Sequence, residues 1–248
     1  ARHNELAALA MARVVITNSE SARQQVIEKL GLPPNRVRAI YYGADACAFR
    51  PPTPEEKQRA RRHFQWSADQ PLAIFIGALG HDRNKGFDLL FAAWEQLCQQ
   101  GKWDVNLVAF GGGAEVELWR EQASQKGLAS RVKMMGFSKE IATALTGADI
   151  LISPSHYEAY GLGVQEALCC GLPALVTRTA GVAEHYPPEL HNLLLNDPPQ
   201  VEDLVTRLRQ WRGNMAEERC RVAQLSRTLR QRSWSDMARE IVEVIDRQ

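Results

Sequence analysis

Residues 148–177, ADILISPSHYEAYGLGVQEALCCGLPALVT, constrain the fold of this chain more than any other stretch. ADILIS is a continuous apolar run of the length of a buried strand. Pro154 stops it, and a polar loop through Ser155, His156 and Tyr157 follows. Gly161 and Gly163 flank the start of a helical stretch, VQEALCC, which Gly171 closes as a left-handed C-terminal cap. Pro173 and a second β-rich run, ALVT, come next. Strand, glycine-rich loop, helix and strand in that order make one βαβ unit of a parallel sheet.

The loop of this unit has a definite chemistry. A helix N-terminus offers unpaired N–H groups and a positive dipole end, so it attracts phosphate. Glycine lets backbone come close to a ligand. Two carboxylates stand there with seven residues between them, Glu158 in the loop and Glu166 on the helix. A carboxylate one turn into the helix can accept two hydrogen bonds from a vicinal diol such as a ribose, and one in the loop can do the same for a sugar.

The stretch resembles the E-x7-E motif of retaining glycosyltransferases of the GT-B fold, family 4. Glu158, Gly161, Gly163, Glu166, Ala167, Gly171 and Pro173 fall where that family's pattern has Glu, Gly, Gly, Glu, Ala, Gly and Pro. The resemblance runs from about residue 13 to the end of the chain. NSESARQQVIEKLGLPPNRVRAIYYGAD looks like the last βαβ unit of the family's N-terminal domain, with Tyr42 standing where the family usually carries Asn.

Beyond the motif, strands and helices alternate along the whole chain, which reads as an α/β fold with a parallel sheet. A helix end is expected over 4–12, and strands over 14–19 and 37–43 with the helix ARQQVIEKLG between them. Thr53 is a candidate N-cap after a Pro-rich connector at 47–53. LAIFI, VNLVAF and VKMMGF read as three further strands, and Gly77 and Gly80 bracket the exit of the first. The helix after it carries apolar residues at helical spacing from Asp88 to Leu97, with Arg83 and Lys85 at its loop junction. Gly136, Phe137 and Ser138 form the exit of the third strand, and Phe137 reads as a core residue. Residues 201–231 read as two basic amphipathic helices with a solvated arginine face. A last helix over 233–246 is capped by Ser233 or Ser235.

The resemblance implies a Rossmann-like parallel sheet and three parts. Residues 1–48 would be the tail of an acceptor domain, 49–232 a domain binding a nucleotide sugar, and 233–248 a terminal helix crossing back to the acceptor domain. It implies transfer of a sugar from a nucleotide diphosphate sugar, with retention, to an acceptor left open among glycan, lipid and small molecule. Glu158, Lys85 and Arg83 would serve the chemistry, Glu158 orienting the sugar and the two cations meeting the diphosphate. Glu166 would hold the ribose, the amides around Tyr160, Gly161, Leu162 and Gly163 the phosphates, and Gly80, Gly136 and Phe137 would border the nucleotide. Two alternatives stay open: a nucleotide-sugar binding module without activity, and an epimerase or phosphorylase of the same architecture.

Composition and missing motifs narrow the field. The net charge of +1 gives no case for nucleic-acid binding. The five cysteines, Cys47, Cys98, Cys169, Cys170 and Cys220, form no CxxC, which suits a reduced, cytoplasmic protein. Peripheral attachment to the inner face of a membrane, through a domain not in this sequence, is the alternative kept for its location. No apolar run reaches 18 residues. No DxD occurs, and no other metal or nucleophile motif, so neither a metal nor a cofactor beyond the donor itself is expected.

Overall fold

The computed structural model describes residue 9 and residues 11–246. The helix end expected over 4–12 lies mostly outside them. The first unit is a single βαβ turn. Strand β1 (Val15–Thr17) and strand β2 (Val37–Ala39) pair in parallel, connected through helix α1 (Glu20–Leu30). Ser19 caps α1 by accepting from the Ala22 amide, and Gly31 ends it in the left-handed conformation. Val15, Leu32 and Val37 form its small core.

The second unit is a six-stranded sheet, parallel throughout. Its strands are β3 (Leu72–Ile76), β4 (Asn106–Phe110), β5 (Val132–Gly136), β6 (Ile150–Ser153), β7 (Ala174–Thr177) and β8 (Leu194–Leu195), in the spatial order β5-β4-β3-β6-β7-β8. Ala73 and Ile74 of β3, Ile150 and Ile152 of β6 and the first three residues of β7 are sealed from solvent. Strands covered on both faces have no polar side, which is why they read as unbroken apolar runs.

Between the strands run α2 (Pro54–His63), α3 (Phe87–Gln99), α4 (Val116–Gln125), α5 (Ile141–Gly147) and α6 (Leu162–Cys169). Helices α7 (Val201–Gly213), α8 (Met215–Arg230) and α9 (Trp234–Asp246) complete the chain. Thr53 and Glu56 make the full reciprocal cap of α2. That helix is fastened to the sheet by an ion cluster. Asp149 accepts from Arg61 at 2.6 Å, from Lys57, and from the Leu72 amide at 2.8 Å. Arg61 is 4% exposed and gives its remaining donors to the carbonyls of Gly147, Ser67, Ala68 and Gln70. A buried guanidinium is tolerable because each face of it is matched.

Two expectations differ from the structure, and one strand was not foreseen. The strand expected over 37–43 keeps its ladder only to Ala39, with one more bond from the Ile40 amide to the Thr17 carbonyl. Past that point the backbone leaves the sheet to meet the second unit, where the Ala44 amide donates to the Arg232 carbonyl. Strand β8 was not anticipated, because two leucines after a Pro-containing turn carry no periodic signal. Phe137 is not a core residue: it is 77% exposed. Gly136 ends β5 with φ of +75°, which turns the chain off the sheet and leaves the next side chain outside. Of the two candidate caps of α9, Ser233 is the one used, its hydroxyl accepting from the Asp236 amide at 3.1 Å.

Candidate functional site

The strand order locates the site before any side chain is considered. From β3 the chain winds outward to β4 and β5, and from β6 it winds the other way to β7 and β8. Right-handed crossovers then put the two sets of connections on opposite faces, which leaves a crevice at the carboxyl ends of β3 and β6. A cleft of about 330 Å³ lies there. Ile76 and Gly77 of the β3 end, Leu151 and Ser153 of β6, Lys85, and the loop from Glu158 to Val164 line it. Asn18 and Tyr42 of the first unit close its other wall. A hollow of similar size lies around residues 47–63 and 142–146, but its Arg50 is already paired to Glu56 at 2.6 Å.

Lys85 and Glu158 meet in the cleft, Nζ to Oε2 at 2.6 Å, both partly exposed. Glycine is needed to put Lys85 there. Gly86 has φ of +69°, and a Cβ on it would stand 2.0 Å from the Pro154 carbonyl oxygen. The lysine's neighbour therefore lies directly against the end of β6. Gly161 has φ of +103° and caps α6 without a side chain. The amides of Val164 and Gln165 turn back to the Gly161 carbonyl at 3.0 Å. Among the described residues, no acceptor lies on the amides of Gly161, Leu162 and Gly163. An ammonium, a carboxylate and the open end of a helix thus face one crevice, an arrangement that can hold a phosphate and a hydroxyl-bearing group beside it.

Tyr160 belongs to the same loop, but its hydroxyl is turned inward. It donates to Gln165 Oε1 and lies 3.2 Å from His185 Nε2, and Gln165 Nε2 donates to the Gly43 carbonyl at 2.8 Å. Burial raises the Tyr160 phenol above its ordinary range and lowers His185. Glu166 does not line the cleft. It lies next door, in a small recess with Gly43, Ala44, Asp45, Phe49 and Trp234, and Leu162 borders both spaces. Its carboxyl is half-buried and has no hydrogen-bond or ion-pair partner among the described residues, and burial pushes it up to about 7.

The remaining expected residues are not brought to Lys85. Arg83, itself at φ of +49°, turns to Glu115 with nitrogens 3.3 and 3.4 Å from the two oxygens, and sits over the Trp119 ring at 5.7 Å. Gly80 accepts from the Arg83 amide in that turn. The Gly136 carbonyl takes the Gly111 amide at 2.9 Å, and Phe137 beside it projects into solvent near Gly112. Asn18, Tyr42 and Ser153 line the cleft without having been singled out as site residues. Only Tyr42 carried a signal, as a departure from the expected pattern.

With the geometry in place, comparison with known proteins gives a consistent picture. The model of the family Glycosyl transferases group 1 matches residues 56–227. An uncharacterized glycosyltransferase of Methanocaldococcus jannaschii is 27% identical over 182 residues, 72% of this chain and 46% of the relative. A D-inositol 3-phosphate glycosyltransferase of Xylanimonas cellulosilytica is 25% identical over 248 residues, 95% of this chain and 57% of the relative. The chain thus spans about half the length of the curated relatives it matches. Among solved structures, Anabaena Alr3699/HepE in complex with UDP and glucose superposes with a TM-score of 0.84 at 21% identity, covering 97% of this chain and 65% of that one.

Proposed function

Because the chain belongs to the family Glycosyl transferases group 1, we propose that it is the donor-binding half of a retaining glycosyltransferase that uses a nucleoside diphosphate sugar. One observation carries the reading: the Lys85–Glu158 pair faces the unoccupied amides of Leu162 and Gly163 at the crevice of the parallel sheet. The helix end and Lys85 would hold the diphosphate. Lys85 would leave Glu158 to do so, and that exchange frees the Glu158 carboxylate for a hydroxyl of the sugar. As the bond from the anomeric carbon to the diphosphate breaks, negative charge grows on the leaving group, and the ammonium and amides are already aimed at it. Glu166, a half-buried carboxylate with no partner among the described residues, would take the two ribose hydroxyls. Arg83 is turned toward Glu115 and does not line the cleft, so it is a lesser contributor. The HepE complexes with UDP and with UDP-glucose support a nucleotide sugar as the donor class. Retention rests on the E-x7-E resemblance.

Calorimetry with UDP, GDP, ADP and UDP-glucose tests this. One of the nucleotides should bind, and Lys85→Ala should weaken it by about tenfold or more, as loss of a charge-assisted contact does. Glu158→Gln should weaken UDP-glucose relative to UDP, since it removes the contact to the sugar while freeing Lys85 for the diphosphate. Failure of every nucleotide to bind would remove the reading. Sugar transfer by the residues described here, without further chain, would show that they are more than the donor half.

A further inference from the structure

The short helical turn Gly181–His185 lies between the two units and touches both. On one side it supports the glycine-rich loop: the Val182 amide donates to the Tyr160 carbonyl at 2.8 Å, and His185 meets the Tyr160 hydroxyl. On the other side Glu184 reaches the first unit. Its Oε2 accepts from the Glu20 amide at 3.0 Å and its Oε1 from the Ser21 amide at 2.6 Å, and the Tyr41 hydroxyl donates to Oε2 at 2.5 Å. With Ser19 already taking the Ala22 amide, the first turn of α1 is fully satisfied. A carboxylate of the second unit therefore completes the N-terminal cap of a helix in the first, where the dipole favours its charge.

The residues so held are neighbours of the cleft wall. Asn18 precedes the Ser19–Ser21 turn and Tyr42 follows Tyr41, and those two are the first unit's contribution to the cleft. We propose that Glu184 is a positioning residue, which fixes Asn18 and Tyr42 across from Lys85 and Glu158 and so sets the width of the donor cleft. The inference rests on the donor reading above. Glu184 touches no ligand in it; the effect passes through α1 and Tyr41.

Titration of UDP and UDP-glucose into wild type, Glu184→Ala and Glu184→Gln, and into the same variants made in an Asn18→Ala/Tyr42→Ala background, tests the proposal. Glu184→Ala should weaken UDP-glucose by about fivefold, in keeping with loss of a charge at a helix N-terminus. Glu184→Gln, with one acceptor oxygen, should lose less. Amide exchange at Glu20 and Ser21 should speed up in both variants. In the background lacking the Asn18 and Tyr42 side chains, removing Glu184 should cost nothing more, since its effect has no carrier left. Equal affinity of wild type and both Glu184 variants overturns the proposal, as does an identical fold-loss on the two backgrounds. If Glu184→Ala does not fold, the Gln variant makes the same comparison. If wild type binds GDP or ADP and not UDP-glucose, the same titrations are run with that nucleotide; absence of all nucleotide binding in wild type is a different result, which overturns the donor reading, and this proposal with it.

Discussion

Replacing Glu166 by Gln isolates the consequence of leaving a carboxyl half-buried without a partner. Its pKa rises from an ordinary 4.5 to about 7, through burial alone. The folded chain therefore holds that proton to a higher pH than the unfolded chain does. The stabilisation is full below about pH 4.5 and is lost as pH climbs through about 7. A rise of that size corresponds to at most about 3 kcal/mol. Because the group is half-buried and not sealed, solvent screening reduces the expected effect to about 1–2 kcal/mol. Glutamine has the same shape and no titration. Between pH 5 and pH 8, then, wild type should lose about 1–2 kcal/mol relative to Glu166→Gln, read as the difference between the two urea-unfolding free energies at each pH. The same proton opposes a diol that prefers the carboxylate. UDP affinity of wild type should rise from pH 6 to pH 8, while that of the Gln variant should be lower at pH 8 and nearly flat. A stability difference that is the same at both pH values would refute the burial argument. A UDP affinity unaffected by the substitution at pH 8 would take Glu166 out of the site.

Gly86→Ala combines a left-handed backbone with a Cβ driven into the Pro154 carbonyl; it should destabilise by at least about 1–3 kcal/mol in thermal or urea unfolding and displace Lys85 from Glu158, whereas a neutral result would mean that the Pro154 contact yields easily. Asp149→Asn leaves Arg61 facing an amide in a buried position and should cost about 3 kcal/mol, measured in the same way, without changing UDP affinity. Nucleotide binding should be the same with and without EDTA, because the diphosphate is met here by Lys85 and a helix end; abolition of binding by the chelator would show that a metal ion carries that charge.

The architecture was legible in the sequence for a specific reason. Parallel strands covered on both faces are apolar throughout, so LAIFI, ADILIS and ALVT announce themselves, and Gly31, Thr53 and Gly171 mark helix ends by local chemistry alone. Lys85 and Glu158 each stood out because each sits in its own short pattern, but nothing in those patterns said that the two would pair. What escaped is non-local. Arg83 was read as a phosphate ligand, but nothing near it in sequence says that Glu115, 32 residues on, takes its guanidinium. Phe137 looked like core because its hydrophobicity is local information, while the turn at Gly136 that throws it outward is set by the end of the sheet. Glu184 drew no reading from the sequence, since its partners Glu20, Ser21 and Tyr41 lie more than 140 residues away.

Two stretches of chain lie side by side where the units meet. Residues 41–44 and residues 232–233 run parallel there and are stitched together where they meet: the Arg232 side chain donates to the Tyr41 carbonyl at 3.0 Å, and Ala44 forms a parallel bridge with Ser233. Gly43 is so close to the second stretch that a Cβ on it would fall 2.3 Å from the Ser233 carbonyl carbon. A joint of one strand is a swivel, free about its own length. A joint of two strands lying together is a door hinge: it flexes about the line across both and resists torsion, because twisting would slide one strand along the other and break their shared bonds. Opening about that line would first have to release Glu184 from the Glu20 and Ser21 amides and the Tyr41 hydroxyl.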